Sequence, residues 1–276
     1  MTGSEVFADG LLDGRVALVT GGGTGLGRAA AAELRRCGAE VVICGRREEV
    51  LAAAASEIDA SFVVGDVRSD DDAVRIVDEV LARHGRLDAL VNNAGGQYFT
   101  PAEAIEPKGW RAVTRLNVGG TERMTRVAAE RAFVPSGRGG TVVNVTLSPH
   151  HGLAGMTHSS AARAAVEGYT RALADEWAPD GIVVIAVAAG HFDTASLRKY
   201  PEPVWRAAAR TVPLQRLGRE DEHAWLVALA ASELGRALSG SVVTLDGARD
   251  NWFGPWPPPA ITDDGGTVPT EARRDR

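Results

Sequence analysis

Val16-Ala17-Leu18-Val19-Thr20-Gly21-Gly22-Gly23-Thr24-Gly25-Leu26-Gly27 is the stretch from which the rest of the chain can be ordered. A short β-branched run, Val16–Thr20, passes directly into a glycine cluster, and an alanine-rich amphipathic pattern, Gly25–Cys37, follows it. Glycines permit the tight turn and let the backbone come close to a pyrophosphate, whose charge then rests on the helix N-terminal dipole. Such a turn can also merely link a strand to a helix. Here the strand, the spacing and the helix are all in place, which reads as a dinucleotide site.

Working outward, six more apolar runs read as strands: Val41–Cys44, Ser61–Val64, Ala89–Asn92, Thr141–Val145, Ile182–Ala188 and Val242–Leu245. Helical patterns fall between them at Arg47–Ser56, Asp70–His84, a long stretch near Lys108–Phe133, Ser159–Trp177 and Asp221–Leu234. Continuously apolar strands alternating with helices predict a parallel sheet covered on both faces. The expected architecture is a single-domain α/β fold with a doubly wound, seven-stranded parallel sheet over residues 1–250. Residues 190–217 break the alternation with Pro201, Pro203 and Pro213 and are expected to form a substrate lid. Residues 251–276 form an aromatic and Pro-rich tail, expected to pack on the domain or a neighbouring subunit, with a disordered end.

Composition narrows the functional classes. Thirty basic residues against 36 acidic ones give a net charge of −6, which argues against a nucleic-acid or anionic-membrane partner. The longest apolar run, Ile182 to Ala189, is too short to span a bilayer, and the acidic start MTGSEVFADG lacks the apolar core of a signal peptide. Two cysteines without CxxC spacing fit a reducing compartment, so a cytoplasmic location is expected. No His/Cys/Asp cluster has metal-ligand spacing, and no metal is expected.

The glycine pattern Thr20-Gly21-x-x-x-Gly25-x-Gly27 resembles that of the short-chain dehydrogenase/reductase family, a Rossmann-type family. Asp66 after the third strand, Asn92-Asn93-Ala94-Gly95 after the fourth and Asn117 in Leu116-Asn117-Val118 agree with its further motifs, so the resemblance covers about residues 12–248. It implies cofactor contacts at Thr20, Gly21, Thr24, Gly25, Leu26, Gly27, Asp66, Val67, Asn93, Ala94, Gly95, Arg163, Gly190 and Thr194. The exit of the second strand reads Cys44-Gly45-Arg46-Arg47, with no acid to bind a ribose 2′-hydroxyl. Arg46 is therefore the expected 2′-phosphate contact and NADP(H) the expected cofactor; the alternative is two arginines on a solvated helix start.

The family's chemistry uses a Tyr and a Lys at i and i+4, with a Ser thirteen residues before the Tyr. Aligned on Ala164-Ala165-Val166-Glu167, those positions are Ser159, Arg163 and Thr146. Where the family has an Asn and a Pro-Gly pair, this chain has Ile185, Ala189 and Gly190. A serine is a far weaker acid than a phenol, and an arginine with its ordinary pKa above about 12 shuttles no protons. Losing a positioned general acid costs about 10²–10⁴ in rate, so ordinary ketone or alcohol redox is not expected.

The stretch His158-Ser159-Ser160-Ala161-Ala162-Arg163 resembles the peroxisomal trans-2-enoyl-CoA reductases, which with the 2,4-dienoyl-CoA reductases carry Ser in place of Tyr. Gly95-Gly96-Gln97, Lys108-Gly109-Trp110 and Asp250-Asn251-Trp252 echo the same branch. The dienoyl reductases place a Tyr fifteen residues before the Lys; here that position is Ser148. The resemblance implies conjugate reduction of an enoyl thioester, with Asn117, Thr146, Ser148 and Ser159 as candidate donors to the thioester oxygen. The Cα proton would come from His158, His151 or water. Bland alternatives stand beside these: Asn117 as a backbone-bonding helix residue, His150 and His151 as solvent-exposed loop residues, His158 as a helix-start cap, and Tyr98 as a rim aromatic. Two other functions stay open: a degenerate NADP(H)-binding subunit or sensor partnering an active paralogue, and a ketone or alcohol dehydrogenase with a relocated acid. A homo-oligomer, dimer or tetramer, is the expected assembly.

Overall fold

A computed structural model describes residues 3–200 and 202–252. Seven parallel strands, β1 (Val16–Thr20), β2 (Glu40–Gly45), β3 (Ser61–Val64), β4 (Ala89–Asn92), β5 (Gly140–Leu147), β6 (Ile182–Ala189) and β7 (Val242–Leu245), form one sheet in the order β3-β2-β1-β4-β5-β6-β7. The central strands are mostly apolar because both faces are covered: every residue of β1 and of β6 is buried. Alternate residues serve opposite cores. Ala17, Val19, Val41 and Ile43 face one cluster, and Val16, Leu18, Val42 and Cys44 face the other.

The helices are α1 (Gly25–Arg36), α2 (Glu48–Ile58), α3 (Asp70–His84), α4 (Pro107–Thr114), α5 (Gly120–Ala128), α6 (Val134–Ser136), α7 (Thr157–Glu176), α8 (Glu202–Ala207) and α9 (Glu220–Ala231). The long helical stretch predicted near 108–133 is present, as α4, α5 and α6 run together through π-turns at Arg115–Gly119 and Ala129–Phe133. At the first π-turn the Asn117 side chain donates to the Val113 carbonyl at 2.8 Å, four residues back. A side chain that takes a carbonyl in this way competes with the backbone ladder.

The order reverses between β1 and β4, which are adjacent although not consecutive. In an open α/β sheet, the carboxyl ends of strands at such a reversal leave a crevice for ligands. A buried polar network holds the neighbouring strands in register: Asn92 donates to Asn144 at 2.9 Å and Thr125 at 2.7 Å, and Asn144 donates to Thr170 at 2.9 Å. Of the tail calls, the aromatic and Pro-rich part from residue 253 onward lies outside the described residues. Among the described residues, no helix is long and apolar enough to cross a membrane, and no His/Cys/Asp/Glu group could hold a metal ion.

Candidate active site

The crevice at the β1/β4 reversal is a cleft of about 810 Å³. Its first wall is the turn after β1. Gly21 adopts φ +66°, a left-handed conformation that favours glycine. A Cβ on Gly27 would lie 2.3 Å from Asn93 Nδ2 and 2.5 Å from the Gly21 carbonyl oxygen, so the helix can approach the turn only without a side chain there. Thr20 lies behind this wall rather than in it: its hydroxyl accepts from the Asn93 and Ala94 amides at 3.0 and 2.9 Å. Asn93 in turn donates to the Thr20 carbonyl at 3.0 Å. Both residues brace the glycine loop against β4.

The starts of helices α1 and α3 differ. Helix α3 is closed by Ser69, which accepts from the Asp72 amide at 3.3 Å, and it carries Asp70, Asp71 and Asp72 in its first turn. Helix α1 has no acidic residue in its first turn and no side-chain cap, and Thr24, Gly25, Leu26 and Gly27 all line the cleft. Its amides and dipole therefore face a space that suits an anion. Arg46, exposed at the exit of β2, lines the same space with no side-chain hydrogen bond among the described residues. Val67, Ala94, Gly95, Gly190 and Thr194 also line the cleft. Asp66 lines it too, but Arg68 grips both carboxylate oxygens at 2.6 to 3.0 Å. That hydrogen bonding holds the Asp66 carboxyl below the usual range despite partial burial. The glycine cradle and the open helix start together fit the pyrophosphate of a dinucleotide.

The chemical end departs from the sequence expectation in the direction of its hydrogens. Thr146 lines the cleft, yet its hydroxyl donates to Glu167 Oε1 at 3.0 Å. Ser148 is buried outside the lining and donates to Asp246. Ser159, also buried outside the lining, donates to Gln97 Oε1 at 2.6 Å. Asn117 is buried and donates to the Gly96 and Val113 carbonyls at 2.8 Å each, while its own oxygen accepts from the Gly96 amide at 3.1 Å. Each of the four proposed oxygen donors thus has its hydrogens engaged within the protein, and none of the four is free to meet a ligand in this arrangement.

His158 is likewise displaced from the proposed role of proton source. It is fully buried, its ring lies 4.4 Å from that of Tyr98, and neither ring nitrogen has a partner among the described residues. Burial lowers its pKa, because the charged imidazolium would be desolvated there. Arg163, by contrast, lines the cleft. Its Nη1 donates to the Val145 carbonyl at 2.7 Å, and its Nε has no partner among the described residues. Burial pushes its pKa down to about 10, below the value expected from sequence, while Tyr200 acts in the opposite sense. It is still a cation at neutral pH and still no proton shuttle.

Three further cleft-facing groups had no role assigned to them from sequence. His191 lines the cleft, hydrogen-bonds Thr211 at 2.9 Å and lies 2.7 Å from Arg249 Nη1. Burial, reinforced by the Arg249 charge, pushes its pKa down to about 4, so it is neutral at physiological pH. Gln97 and Tyr200 face each other, with Gln97 Nε2 donating to the phenol oxygen at 3.0 Å. Tyr200 is one of three tyrosines in the chain and lies in the segment expected to be a lid, a signal that could have singled it out. That segment does line the cleft, through Leu197, Lys199, Tyr200, Val204 and Ala208.

Beside the cleft, His150 joins three elements. Its Nδ1 pairs with Asp250 at 2.5 Å and its Nε2 lies 3.2 Å from Glu167. Burial alone would lower the His150 pKa, but the Asp250 hydrogen bond and the Glu167, Asp250 and Asp246 charges raise it on balance. Burial opposes and His150 supports a lowered pKa for Asp250, and the lowering wins. Stability from the raised histidine is present below about pH 6.5 and lost as pH rises through its folded value. Stability from the depressed carboxyl is present above about pH 3.9 and lost as pH falls through its folded value. The pair therefore contributes most between these limits. His150→Ala is expected to cost about 1 kcal/mol near pH 5.5 and less at pH 9, measured as thermal midpoints of both proteins across that range. An equal loss at both pH values would refute the pairing.

A seven-stranded parallel sheet with a glycine-rich turn at its reversal point defines a dinucleotide-binding α/β protein. Residues 15–204 match the family model described as short chain dehydrogenase, and the chain belongs to that family of oxidoreductases. A Bacillus subtilis (strain 168) protein named "Probable 2,4-dienoyl-CoA reductase", (2E)-enoyl-CoA-producing, is 36% identical over 258 residues, covering 89% of this chain and all of that one. The Danio rerio peroxisomal 2,4-dienoyl-CoA reductase, (3E)-enoyl-CoA-producing, is 32% identical over 254 residues, or 88% of this chain and 84% of that one. A solved structure of a citronellol catabolism dehydrogenase from Pseudomonas aeruginosa PAO1 superposes with a TM-score of 0.80. It is 36% identical and covers 89% of this chain and 98% of that one.

Proposed function

We propose that the protein is an NADP(H)-dependent reductase of the conjugated carbon–carbon double bond of an enoyl- or dienoyl-CoA thioester. The observation that carries this is the state of Ser159. It stands where a carbonyl reductase of this family keeps its phenol, and its hydrogen is directed into Gln97 at 2.6 Å rather than into the cleft. A ketone reduced to an alcohol needs a proton on oxygen, and losing a positioned acid costs about 10²–10⁴ in rate. Conjugate reduction leaves the thioester oxygen unprotonated in the product, so a hydrogen bond to that oxygen is sufficient. The 2,4-dienoyl-CoA reductase names of two relatives support the same substrate class.

The roles of the chain's own groups follow. The glycine turn and the α1 N-terminus receive the pyrophosphate, and Arg46 receives the 2′-phosphate. When bound, the nicotinamide supplies the hydride. Arg163, fixed by the Val145 carbonyl, keeps a positive charge in the cleft within reach of ribose hydroxyls or the thioester. Residues 190–217 cover the acyl chain, and neutral His191 adds no charge of its own to that wall.

The test is NADPH consumption with (2E)-enoyl-CoA, 2,4-dienoyl-CoA and 3-ketoacyl-CoA esters of matched chain length. Turnover of the conjugated esters, with the ketone at least about 100-fold slower, is the expected result. Preference for the ketone would replace this reading with that of a dehydrogenase using a relocated acid.

A further inference from the structure

We infer that Tyr200, carried into the cleft by the segment after β6, is the hydrogen-bond donor to the substrate's thioester oxygen. This role rests on the reading of the site as a conjugated-thioester reductase. It begins with elimination. The hydrogens of Thr146, Ser148, Ser159 and Asn117 are all engaged by protein acceptors. Tyr200 differs. Its oxygen accepts from Gln97 Nε2 at 3.0 Å, and a phenol that accepts still has its own hydrogen to give. The acceptor it finds is the thioether of Met156 at 3.8 Å, among the weakest a protein offers. A thioester oxygen in the cleft would be a much better one.

The orientation is built. Ser159 donates to Gln97 Oε1, which fixes the amide so that its nitrogen faces the phenol. The Gln97 nitrogen then occupies the acceptor side of the Tyr200 oxygen and leaves its hydrogen pointing elsewhere. Gln97 is a positioning residue, and Ser159 acts through it. This gives the serine at the family's phenol position a function, that of setting the direction of a hydrogen-bond chain ending at a different phenol. Tyr200 and Arg163 both line the cleft, so an oxygen placed between them would face a neutral donor and a fixed cation.

In the reaction one hydride, from the cofactor, and one proton are added in total. As the new C–H bond forms, the conjugated π electrons shift toward the thioester oxygen, and the Tyr200 O–H stabilises the enolate. The enolate then takes a proton from water at carbon, restoring the C=O bond. Tyr200 ends as it began, so the balance needs no proton from it.

The test uses the cofactor-free protein with sorbyl-CoA, whose conjugated chromophore absorbs further to the red when its carbonyl oxygen accepts a strong hydrogen bond. Wild-type protein is expected to red-shift the bound ligand. Tyr200→Phe is expected to bind it with most of that shift lost, and with NADPH to turn over about 10²–10³-fold more slowly at a nearly unchanged KM. Gln97→Glu places a carboxylate oxygen against the phenol, recaptures its hydrogen and should lose the shift with Tyr200 still present. NADPH fluorescence titration confirms that each variant is folded, and Gln97→Glu decides the matter should Tyr200→Phe fail that check. A full shift in both variants would overturn the role of Tyr200 alone. Binding without a shift in the wild-type protein would overturn the role of Tyr200, and no binding would overturn the thioester reading and this role with it.

Discussion

Arg46→Glu is expected to raise the Kd for NADPH by about 10²-fold while changing that for NADH by less than about tenfold. A hydrogen bond to a charged group contributes about 1.5–3 kcal/mol, close to one to two powers of ten, and the new carboxylate adds repulsion of the 2′-phosphate. Arg46 suits this measurement because it is exposed and has no side-chain hydrogen bond among the described residues, so its loss disturbs nothing else. Its charge reaches Asp66, but Arg68 already holds that carboxylate with three hydrogen bonds of 3.0 Å or less. The glutamate restores the acidic residue that binds a ribose 2′-hydroxyl in NAD-dependent relatives of the fold. Fluorescence titration of both dinucleotides against both proteins reads the result. Equal affinities of the wild-type protein for NADPH and NADH would remove Arg46 from the phosphate site.

Arg163→Met is expected to weaken NADPH binding by about 10–100-fold, the loss of one charge-assisted hydrogen-bond donor set, with little change in stability. The two effects separate because the guanidinium is poorly satisfied inside the protein. It is half-buried, desolvation pulls its pKa down to about 10, and its buried Nε has no partner among the described residues. Removing an under-paired buried charge in favour of an apolar side chain of similar length is often neutral or stabilising. Against that stands the lost bond to the Val145 carbonyl, about 1 kcal/mol. A thermal midpoint within a few degrees of wild type, together with the weakened binding, would show that Arg163 serves a ligand. A large fall in midpoint with unchanged NADPH affinity would show it to be structural. Arg163→Lys keeps the charge but not the planar fork, and should fall between.

The strands and the glycine turn were legible in sequence because they depend on local pattern. A parallel strand buried on both faces is written as a continuous apolar run, and a turn such as Gly21 at φ +66° needs glycine whatever surrounds it. The residues expected at the cofactor came from the family resemblance, and all of them except Thr20 line the cleft. The π-turn at Asn117 was not legible, since it accompanies a side chain bonding a carbonyl four residues back in an otherwise helical pattern. The directions of the catalytic-half hydrogens were hidden for a different reason. Ser159 is oriented by Gln97, 62 residues away in sequence, Ser148 by Asp246, 98 away, and Gln97 meets Tyr200 across 103. Residue type shows that a hydroxyl can donate; only the tertiary structure shows where it does. His158, adjacent to Ser159 in sequence, illustrates the same limit, because its ring is buried against Tyr98 and does not line the cleft.

The most direct test of conjugate reduction is the destination of the hydride. Reduced dinucleotide deuterated at the transferring position is incubated with the protein and a 2,4-dienoyl-CoA or (2E)-enoyl-CoA, and the products are examined by mass spectrometry and NMR. One deuterium is expected on the acyl chain, at a carbon of the former conjugated system, with the thioester carbonyl intact. Deuterium found only on a carbinol carbon, from a 3-ketoacyl-CoA offered in the same mixture, would contradict it.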